Sequence, residues 1–352
     1  MDELFYEAID LLKSLIATPS VSRQEDAATG KVEAFLKTKG CATQRHGNNV
    51  WTIAPGYDPM RPTLLLNSHI DTVKPVDGWT RNPFEPDDDG ERIYGLGSND
   101  AGASVVSLLA AYLLLSQRQQ KYNLVFLASC EEEVSGRGGI ESALPLLPKI
   151  DVAVVGEPTG MNPAVAEKGL MVLDGEVRGR SGHAARNEGV NAIYEALPIV
   201  ERLRTLSFPL ESRHLGPVKI TVTQISAGTQ HNVVPDLCKI VVDVRTTDAY
   251  TNEQTLEMIR HAVPQCTLTP RSVRLRPSGF SEGHPIVSRL VMAGRTPFGS
   301  PTLSDQALMP FPSLKLGPGD SARSHTADEY ICHDEIREAI QLYFTALDRL
   351  QL

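Results

Sequence analysis

The stretch LLLNSHIDTV, residues 64–73, is an apolar run that ends in His69 and Asp71. Consecutive aliphatic residues without polar alternation are typical of a strand buried on both faces, as in the parallel sheets of α/β proteins. An H-x-D pair standing alone is more often a surface histidine beside a turn-forming aspartate than a functional site. The stretch therefore predicts a buried strand, and the rest of the chain decides whether its two polar residues have a function.

The neighbouring segments alternate between helical and strand patterns. Helices are predicted at residues 3–17 and 101–117, from Ile286, and from about Asp334 to Leu350, and strands at 49–55, 123–130, 151–159 and 312–317. Ser22-x-x-Glu25 has the spacing of a capping box, which predicts a further helix that Gly40 ends. Apolar strands that alternate with helices predict an α/β fold with a mostly parallel sheet covered by helices.

From Leu170 onwards the order of the predicted elements changes. Strands and helices follow as β-α-β-β-α-β, at residues 170–179, 188–206, 218–227, 236–246, 251–263 and 266–276. This order is that of the ferredoxin-like split βαβ sandwich. After residue 279 the α/β pattern resumes. We therefore predict one larger domain formed by residues 1–168 and 280–352, with a ferredoxin-like domain at 169–279 inserted into it.

Charge and composition exclude several classes of protein. The 352 residues carry 34 basic and 43 acidic side chains, a net charge of −9, which argues against a surface for nucleic acid or anionic membranes. No apolar run approaches the ~18 residues of a membrane span, and the acidic, amphipathic N-terminus does not fit a signal peptide. Five scattered cysteines without a C-x-x-C pair predict a cytoplasmic protein and exclude a zinc-finger type of thiolate site.

Acidic residues and histidines follow the ends of the predicted strands, where open α/β sheets bind their ligands. The residues in such positions are His69 and Asp71, Asp100, Glu131, Glu132 and Glu133, Glu157, and His325. A surface charge run is the alternative for the three glutamates, but they lie between a buried strand and a glycine-rich turn. So many like charges need cations to offset their repulsion. The sequence therefore predicts a Zn²⁺, Co²⁺ or Mn²⁺ centre, with His69 as a ligand and Asp71 orienting its imidazole.

As a set, the motifs from His69 to His325 resemble the dinuclear zinc amidohydrolases that include acetylornithine deacetylase, succinyl-diaminopimelate desuccinylase, aminoacylase and carboxypeptidase G. The resemblance covers nearly the whole chain. It implies two Zn²⁺ per subunit, for which Co²⁺ or Mn²⁺ can substitute. It also implies that His69 and Glu157 bind one metal, that Glu133 and His325 bind the second, and that Asp100 bridges both.

The same resemblance implies that Glu132 is the general base and that Asp71 is the carboxylate that orients the histidine. Three adjacent glutamates leave room for a shift of one residue. The stretch EEEVSGRGG, residues 131–139, resembles the family's D-E-E followed by a glycine-rich turn, which favours Glu132 and Glu133. Asp100 is followed by Ala-Gly-Ala instead of the Met-Lys-Gly-Gly of many relatives, which weakens any assignment to one subfamily.

For the inserted domain the resemblance implies a lid through which two subunits form a homodimer. The segment RGRSGHAARNEGVNAI, residues 178–193, matches the lid segment whose histidine, here His183, reaches an active site. The segment GTQHNVVPDLCKIVVDVR, residues 228–245, matches the stretch whose Asn232 and Arg245 contact substrate. The alternatives are that Asn232 is only a turn residue and that Arg245 is a surface charge on a strand.

The activity that these implications predict is hydrolysis of the amide bond of a small N-acyl amino acid. The expected type is deacetylation of N-acetylornithine in arginine biosynthesis. The alternatives within the family are succinyl-diaminopimelate, another acylated lysine, ornithine or citrulline, and a dipeptide. A catalytically dead binding protein on the same fold is the alternative from another class, and the presence of every implied ligand and of the base argues against it.

Overall fold

The computed structural model describes residues 2–186 and 188–352. The α-helices of this part of the chain are α1 (Asp2–Ile16), α2 (Asp26–Thr38), α3 (Ala103–Ser116), α4 (Ile140–Ala143), α5 (Ala192–Thr205), α6 (Asn252–Ala262), α7 (Pro285–Met292) and α8 (His333–Leu347). Its strands are β1 (Thr43–His46), β2 (Asn49–Ile53), β3 (Thr63–His69), β4 (Asp87–Asp88), β5 (Arg92–Tyr94), β6 (Asn123–Ser129), β7 (Val152–Val155), β8 (Ala164–Glu167), β9 (Gly169–Arg178), β10 (Gly182–His183), β11 (Lys219–Ala227), β12 (Val233–Val234), β13 (Leu237–Thr246), β14 (Cys266–Pro270), β15 (Ser278–Gly279), β16 (Phe298–Ser300), β17 (Ser313–Lys315) and β18 (Tyr330–Cys332).

The chain divides into two compact units. Unit 1 comprises Met1–Val165, Gly279–Phe298 and Ser304–Leu352, and unit 2 comprises Ala166–Ser278 and Gly299–Leu303. The sequence predicts an inserted domain at 169–279, whereas unit 2 begins three residues earlier and ends one residue earlier. Unit 2 also takes in residues 299–303, which the sequence pattern does not indicate.

A nine-stranded sheet carries the fold of unit 1. Its strand order is β1-β2-β6-β3-β7-β17-β8-β15, and β16 pairs with β8. The four central strands β6, β3, β7 and β17 pair in parallel. Antiparallel pairs flank them, with β2 beside β6 and β8 beside β17. The predicted α/β fold with a mostly parallel central sheet is confirmed.

Strand β3 shows why the middle of a central strand is apolar. Successive side chains of a strand point to opposite faces of the sheet. Leu64 and Leu66 are fully buried in a cluster with residues of α1, α3 and α8 on one face. Leu65, between them, is fully buried on the other face with Trp51 and Leu127. Both faces are covered, so Leu64, Leu65 and Leu66 in succession all have apolar surroundings.

Helix α3 is the central helix of unit 1. The segment Ser98–Ser116 is long and apolar enough to cross a membrane by length and composition alone. However, 89% of its most apolar window is buried inside the protein. It packs between α1 and α8 and against β3. Its apolar composition is therefore accounted for by the core.

The start of α2 differs from the sequence prediction, and the capping box predicted at Ser22 and Glu25 is wrong. Glu25 is itself the N-cap residue, and its side chain makes no capping hydrogen bond. Ser22 Oγ instead donates to Asp71 Oδ2 at 2.7 Å, and Glu25 Oε1 accepts from the N–H groups of Arg23 and Glu131. The side chains of Ser22 and Glu25 thus bind residues outside α2 and do not cap it.

Unit 2 contains a four-stranded antiparallel sheet with the order β11-β13-β9-β14. Helices α5 and α6 share one apolar cluster with this sheet. A true capping box opens α6, where Thr251 Oγ1 accepts from the Gln254 N–H and Gln254 Oε1 accepts from the Thr251 N–H. A separate two-stranded ladder pairs β10 with β12.

Candidate metal centre

The sheet of unit 1 brings the sequence-predicted metal ligands to one edge. His69 is the last residue of β3, and Glu132 and Glu133 come just after the end of β6. Glu157 follows β7, and the loop that carries His325 follows β17. Because these four strands are parallel neighbours, their carboxyl ends lie side by side. The fold therefore explains how residues up to 256 positions apart (His69 to His325) meet.

Asp100 lies between the two histidines. Its Oδ1 is 3.2 Å from His69 Nε2, and its Oδ2 is 3.7 Å from His325 Nε2. Glu157 Oε1 is 3.8 Å from the same nitrogen of His69, and Glu133 Oε2 is 3.0 Å from that of His325. Each histidine thus has its own glutamate, and the two oxygens of Asp100 face different histidines. A carboxylate in this position has the geometry of a bridging ligand.

Possible donor atoms form two overlapping groups in the described residues. The atoms of His69, Glu132 and Glu157 lie within 4.8 Å of one another, and so do those of His69, Asp100 and Glu133. Glu132 is therefore close to His69 and Glu157. Glu133, the next residue in the chain, contacts His325. The roles of the individual residues stay predictions.

Burial and repulsion between like charges raise the pKa of Glu132 and of Glu133. Burial is the largest cause for Glu132, whose pKa is held well above its usual value, and the charges of Glu157 and Glu133 add to it. For Glu133 burial again comes first, and the charge of Asp100 adds to it. The protein's own cationic groups therefore do not offset the negative charge of these carboxylates.

The pKa values of the two histidines are raised as well, and here the cause is their carboxylate neighbours. The hydrogen bond with Glu133 raises the pKa of His325 to about 9. Burial opposes the charge of His69, but its hydrogen bonds with Asp100 and Asp71 raise its pKa well above the usual value. The raised pKa values mean that these side chains bind protons more tightly than usual. Bound divalent cations would supply the same positive charge. Imidazole and carboxylate donors without thiolate are suitable for Zn²⁺, Co²⁺ or Mn²⁺, so the residues fit a metal centre.

Asp71 has more partners than the sequence predicts. His69 Nδ1 is 2.9 Å from the main-chain oxygen of Asp71 and 3.5 Å from its Oδ1. The two carboxylate oxygens accept the N–H groups of Glu132 at 3.0 Å and of Glu133 at 3.1 Å. Both the main-chain oxygen and the carboxylate of Asp71 are thus next to Nδ1 of the histidine, which leaves Nε2 for a metal. Its carboxylate holds the turn that carries both glutamates.

Two buried carboxylates close to this centre were missed by the sequence analysis. Glu329 is 2% exposed and Asp305 is 3% exposed. Burial raises the pKa of Glu329 to about 8 and that of Asp305 to about 6. Ser129, the last residue of β6, donates its hydroxyl to Asp305 Oδ2 at 2.6 Å. A sequence signal existed only for Glu329, which comes four residues after His325 and directly before a strand.

The remaining predicted site residues belong to unit 2. His183 is in β10 opposite Val233, and the next residue, Ala184, donates its N–H to the main-chain oxygen of Asn232 at 3.0 Å, so the structure brings His183 and Asn232 together. Arg245 lies on a different sheet, in β13. Its Nε and Nη2 both donate to the carboxylate of Asp243, at 2.9 and 3.2 Å.

Comparisons with known proteins show the family to which the chain is similar. The model of peptidase family M20/M25/M40 matches residues 65–349. An acetylornithine deacetylase from Edwardsiella ictaluri is 27% identical over 93% of this chain and 94% of its own length. A succinyl-diaminopimelate desuccinylase from Erythrobacter litoralis is 26% identical over 69% of this chain and 70% of its own. The YXEP protein of Bacillus subtilis, described as a dinuclear metal binding peptidase from the M20 family, superposes with a TM-score of 0.77 at 17% identity, covering 99% of this chain and 100% of its own.

Proposed function

The chain belongs to peptidase family M20/M25/M40, as its sequence motifs predict, and on that premise we propose that it hydrolyses the amide bond of an N-acyl amino acid. The proposed substrate is N-acetylornithine, cleaved to ornithine and acetate in arginine biosynthesis, which is supported by relatives that bear the name acetylornithine deacetylase. The observation that carries the proposal is the position of Asp100, with one oxygen facing His69 and the other facing His325.

The proposed cofactor is a pair of Zn²⁺ ions, with Co²⁺ or Mn²⁺ as substitutes. The residues that would hold them are His69, Asp100, Glu133, Glu157 and His325. When bound, such ions lower the pKa of water and polarise a carbonyl group. Glu132 would take the proton from the attacking water and pass it to the leaving amine. Glu132 lies beside His69 and Glu157, within reach of a water molecule bound there.

Three residues of unit 2 complete the proposed mechanism. The N–H of Ala185 donates to Nδ1 of His183 at 3.1 Å, so the proton of the neutral imidazole is on Nε2. A His183 in this tautomer can donate a hydrogen bond to the negative oxygen of the transition state. Arg245 would bind the substrate α-carboxylate. Asp243 occupies its Nε edge, so a substrate would bind at the Nη1 and Nη2 end. Asn232 is proposed to contact the substrate as well.

The finer features of the fold and assembly are also proposals. We propose that unit 2 is a ferredoxin-like lid, which is supported by its order β9-α5-β11-β13-α6-β14. We propose a homodimer through this unit. Strand β11 is at the edge of its sheet, and Tyr194 and Leu197 of α5 are 69% and 57% exposed, features that favour pairing with a second copy. Five free cysteines support a cytoplasmic location.

A panel of substrates tests the proposed function. Protein loaded with Zn²⁺ or Co²⁺ would be assayed with N-acetylornithine, N-succinylornithine, succinyl-diaminopimelate and simple dipeptides, and Glu132→Gln protein would serve as the control for contaminating activity. The highest kcat/KM is expected with N-acetylornithine. A higher kcat/KM with another compound of the panel would identify that compound as the better substrate. No turnover of any of them would favour a binding protein and reject the proposal.

A further inference from the structure

The carboxylate of Glu329 binds the main chain of the loop that carries Asp100. Its Oε1 accepts the N–H groups of Asn99 and Asp100, both at 2.9 Å, and its Oε2 accepts the N–H of Gly97 at 3.1 Å. Both oxygens of a glutamate side chain can accept hydrogen bonds from backbone N–H groups. A buried side chain thus satisfies three neighbouring backbone donors at once.

The loop between β5 and α3, which carries Asp100, packs closely against neighbouring residues. Gly97 has a φ of +76°, and a Cβ there would come within 2.6 Å of Thr72 Cγ2, so the chain runs too close to its neighbour for a side chain. Asn99 is bound from the other side, since its Oδ1 accepts the N–H of Asp320 at 3.0 Å. The direction of the Asp100 side chain depends on how this short stretch of backbone is held.

The fold of the neighbouring segment does not require the Glu329 side chain. Strand β18 pairs with β5 through Tyr330 and Tyr94, and the N–H of Gly95 donates to the main-chain oxygen of Glu329 at 3.0 Å. These main-chain bonds already hold residue 329 in place. Its carboxylate adds bonds only to residues 97–100, the backbone that leads to Asp100.

We infer that Glu329 is a positioning residue for metal binding, which holds the main chain at Gly97–Asp100 so that Asp100 faces both histidines. Glu329 follows His325 by four residues, so one short segment carries a predicted ligand and also sets the position of the bridging carboxylate. The inference rests on the proposed metal centre and assigns a task to a residue that is not itself one of the ligands.

Glu329→Gln is the test variant. It keeps the size of the side chain, but its amide nitrogen cannot accept a hydrogen bond from an N–H group. Asp328→Asn is the matched control, because the neighbouring Asp328 also accepts two backbone N–H groups, those of Thr80 and Arg81, in a different loop. Metal binding is measured by titrating the metal-free proteins with Co²⁺, followed by calorimetry and by the visible absorption of the bound ion. Amide hydrogen exchange of residues 96–103 is measured on the metal-free proteins.

For Glu329→Gln we expect the affinity for at least one of the two Co²⁺ equivalents to fall by about 10- to 100-fold. We also expect a changed visible spectrum and faster exchange of the Asn99 and Asp100 amides. Asp328→Asn is expected to match the wild type in all three measurements. If Glu329→Gln does not fold, Glu329→Asp, which keeps the charge but shortens the side chain, takes its place with the same expectations.

A merely structural role would lower the melting temperature and leave metal binding unchanged. Two equivalents of Co²⁺ bound by Glu329→Gln with wild-type affinity and spectrum would therefore overturn the inference, whatever the melting temperature. The proposed metal centre fails in a different way, namely if the wild type itself does not bind two equivalents. The two failures are thus distinguished by the wild-type titration.

Discussion

His325 Nε2 lies 3.0 Å from Glu133 Oε2, whereas the adjacent Glu132 groups with His69 and Glu157. The two consecutive glutamates therefore have different neighbours: both lie within 4.8 Å of His69, but Glu132 does so together with Glu157 and Glu133 together with Asp100. Their separation depends on a tight turn at Glu132–Val134, whose first two N–H groups are both bound by the carboxylate of Asp71. The turn thus gives Glu132 and Glu133 different surroundings, which allows them to have different functions.

We expect Glu132→Gln and Glu133→Gln to differ in kind. Glu132→Gln should lower kcat by about 100- to 10,000-fold, the range for loss of a general base, with metal content near that of the wild type. Glu133→Gln should lower the metal content as well, because Glu133 is a predicted ligand. Steady-state kinetics and elemental analysis of the purified variants provide the measurement. The opposite pattern would mean that the assignment is off by one residue.

Removal of metal should abolish amide hydrolysis, because the acidic groups of the centre cannot polarise a carbonyl on their own. Activity is expected to return when Zn²⁺ or Co²⁺ is added to the chelated protein. The assay is hydrolysis of the best substrate before chelation, after it, and after reconstitution, with elemental analysis at each stage. Mg²⁺ serves as the control ion, since it prefers oxygen ligands in octahedral geometry. Full activity of protein shown to be free of metal would reject the two-metal mechanism.

Much of the site could be predicted because it depends on the ends of buried strands. The apolar stretch at Leu64–Leu66 indicates a strand, and parallel strands deliver the residues that follow them to one edge. His69, Glu157 and His325 could therefore be assigned to one place before their distances were known. The argument needs only the type of sheet and the position of each polar residue relative to its strand.

Contacts between distant residues could not be predicted in the same way. Ser22 and Glu25 have the local spacing of a capping box, but Ser22 donates to Asp71, 49 residues further on. Glu329 binds N–H groups about 230 residues before it in the chain, and a backbone donor leaves no mark in the sequence. Asp305 was missed because its partner, the hydroxyl of Ser129, lies 176 residues before it in the chain.

The capping box at the start of α6 gives a test of stability in unit 2. Thr251→Ala removes the acceptor of the Gln254 N–H at the start of α6 and should lower the free energy of unfolding by about 1 kcal/mol. Thr345→Ala, at an exposed position inside α8, is the control and should change it by less than about 0.5 kcal/mol. Urea unfolding followed by circular dichroism measures both. Equal effects of the two changes would contradict a specific role of the cap.

Arg245→Met should raise KM for N-acyl amino acids by about 10- to 100-fold, the value of a lost hydrogen bond to a charged group. Substrate analogues in which an amide replaces the α-carboxylate should be affected much less. Asp243→Asn is expected to give a smaller increase, because Asp243 fixes the orientation of the guanidinium without contacting substrate. KM values for both kinds of substrate decide the matter. An equal effect of Arg245→Met on both would mean that Arg245 is structural.

The last prediction is that His183 acts in the active site of the partner subunit of the proposed homodimer. His183 is exposed on its short ladder, and the small residues Ala184 and Ala185 follow it. We expect His183→Ala and Glu132→Ala proteins each to be nearly inactive as homodimers. After they are mixed and allowed to exchange subunits, one site of each heterodimer combines an intact Glu132 with His183 from the other chain.

Random exchange makes about half of the dimers heterodimers, each with one intact site, so about a quarter of the wild-type activity should return. If His183 acted within its own chain, every site of the heterodimer would lack either the base or the histidine, and no activity would return. Subunit exchange is followed independently by mass spectrometry of differently tagged chains. Demonstrated exchange without recovery of activity would reject the assignment of His183 to the partner's site.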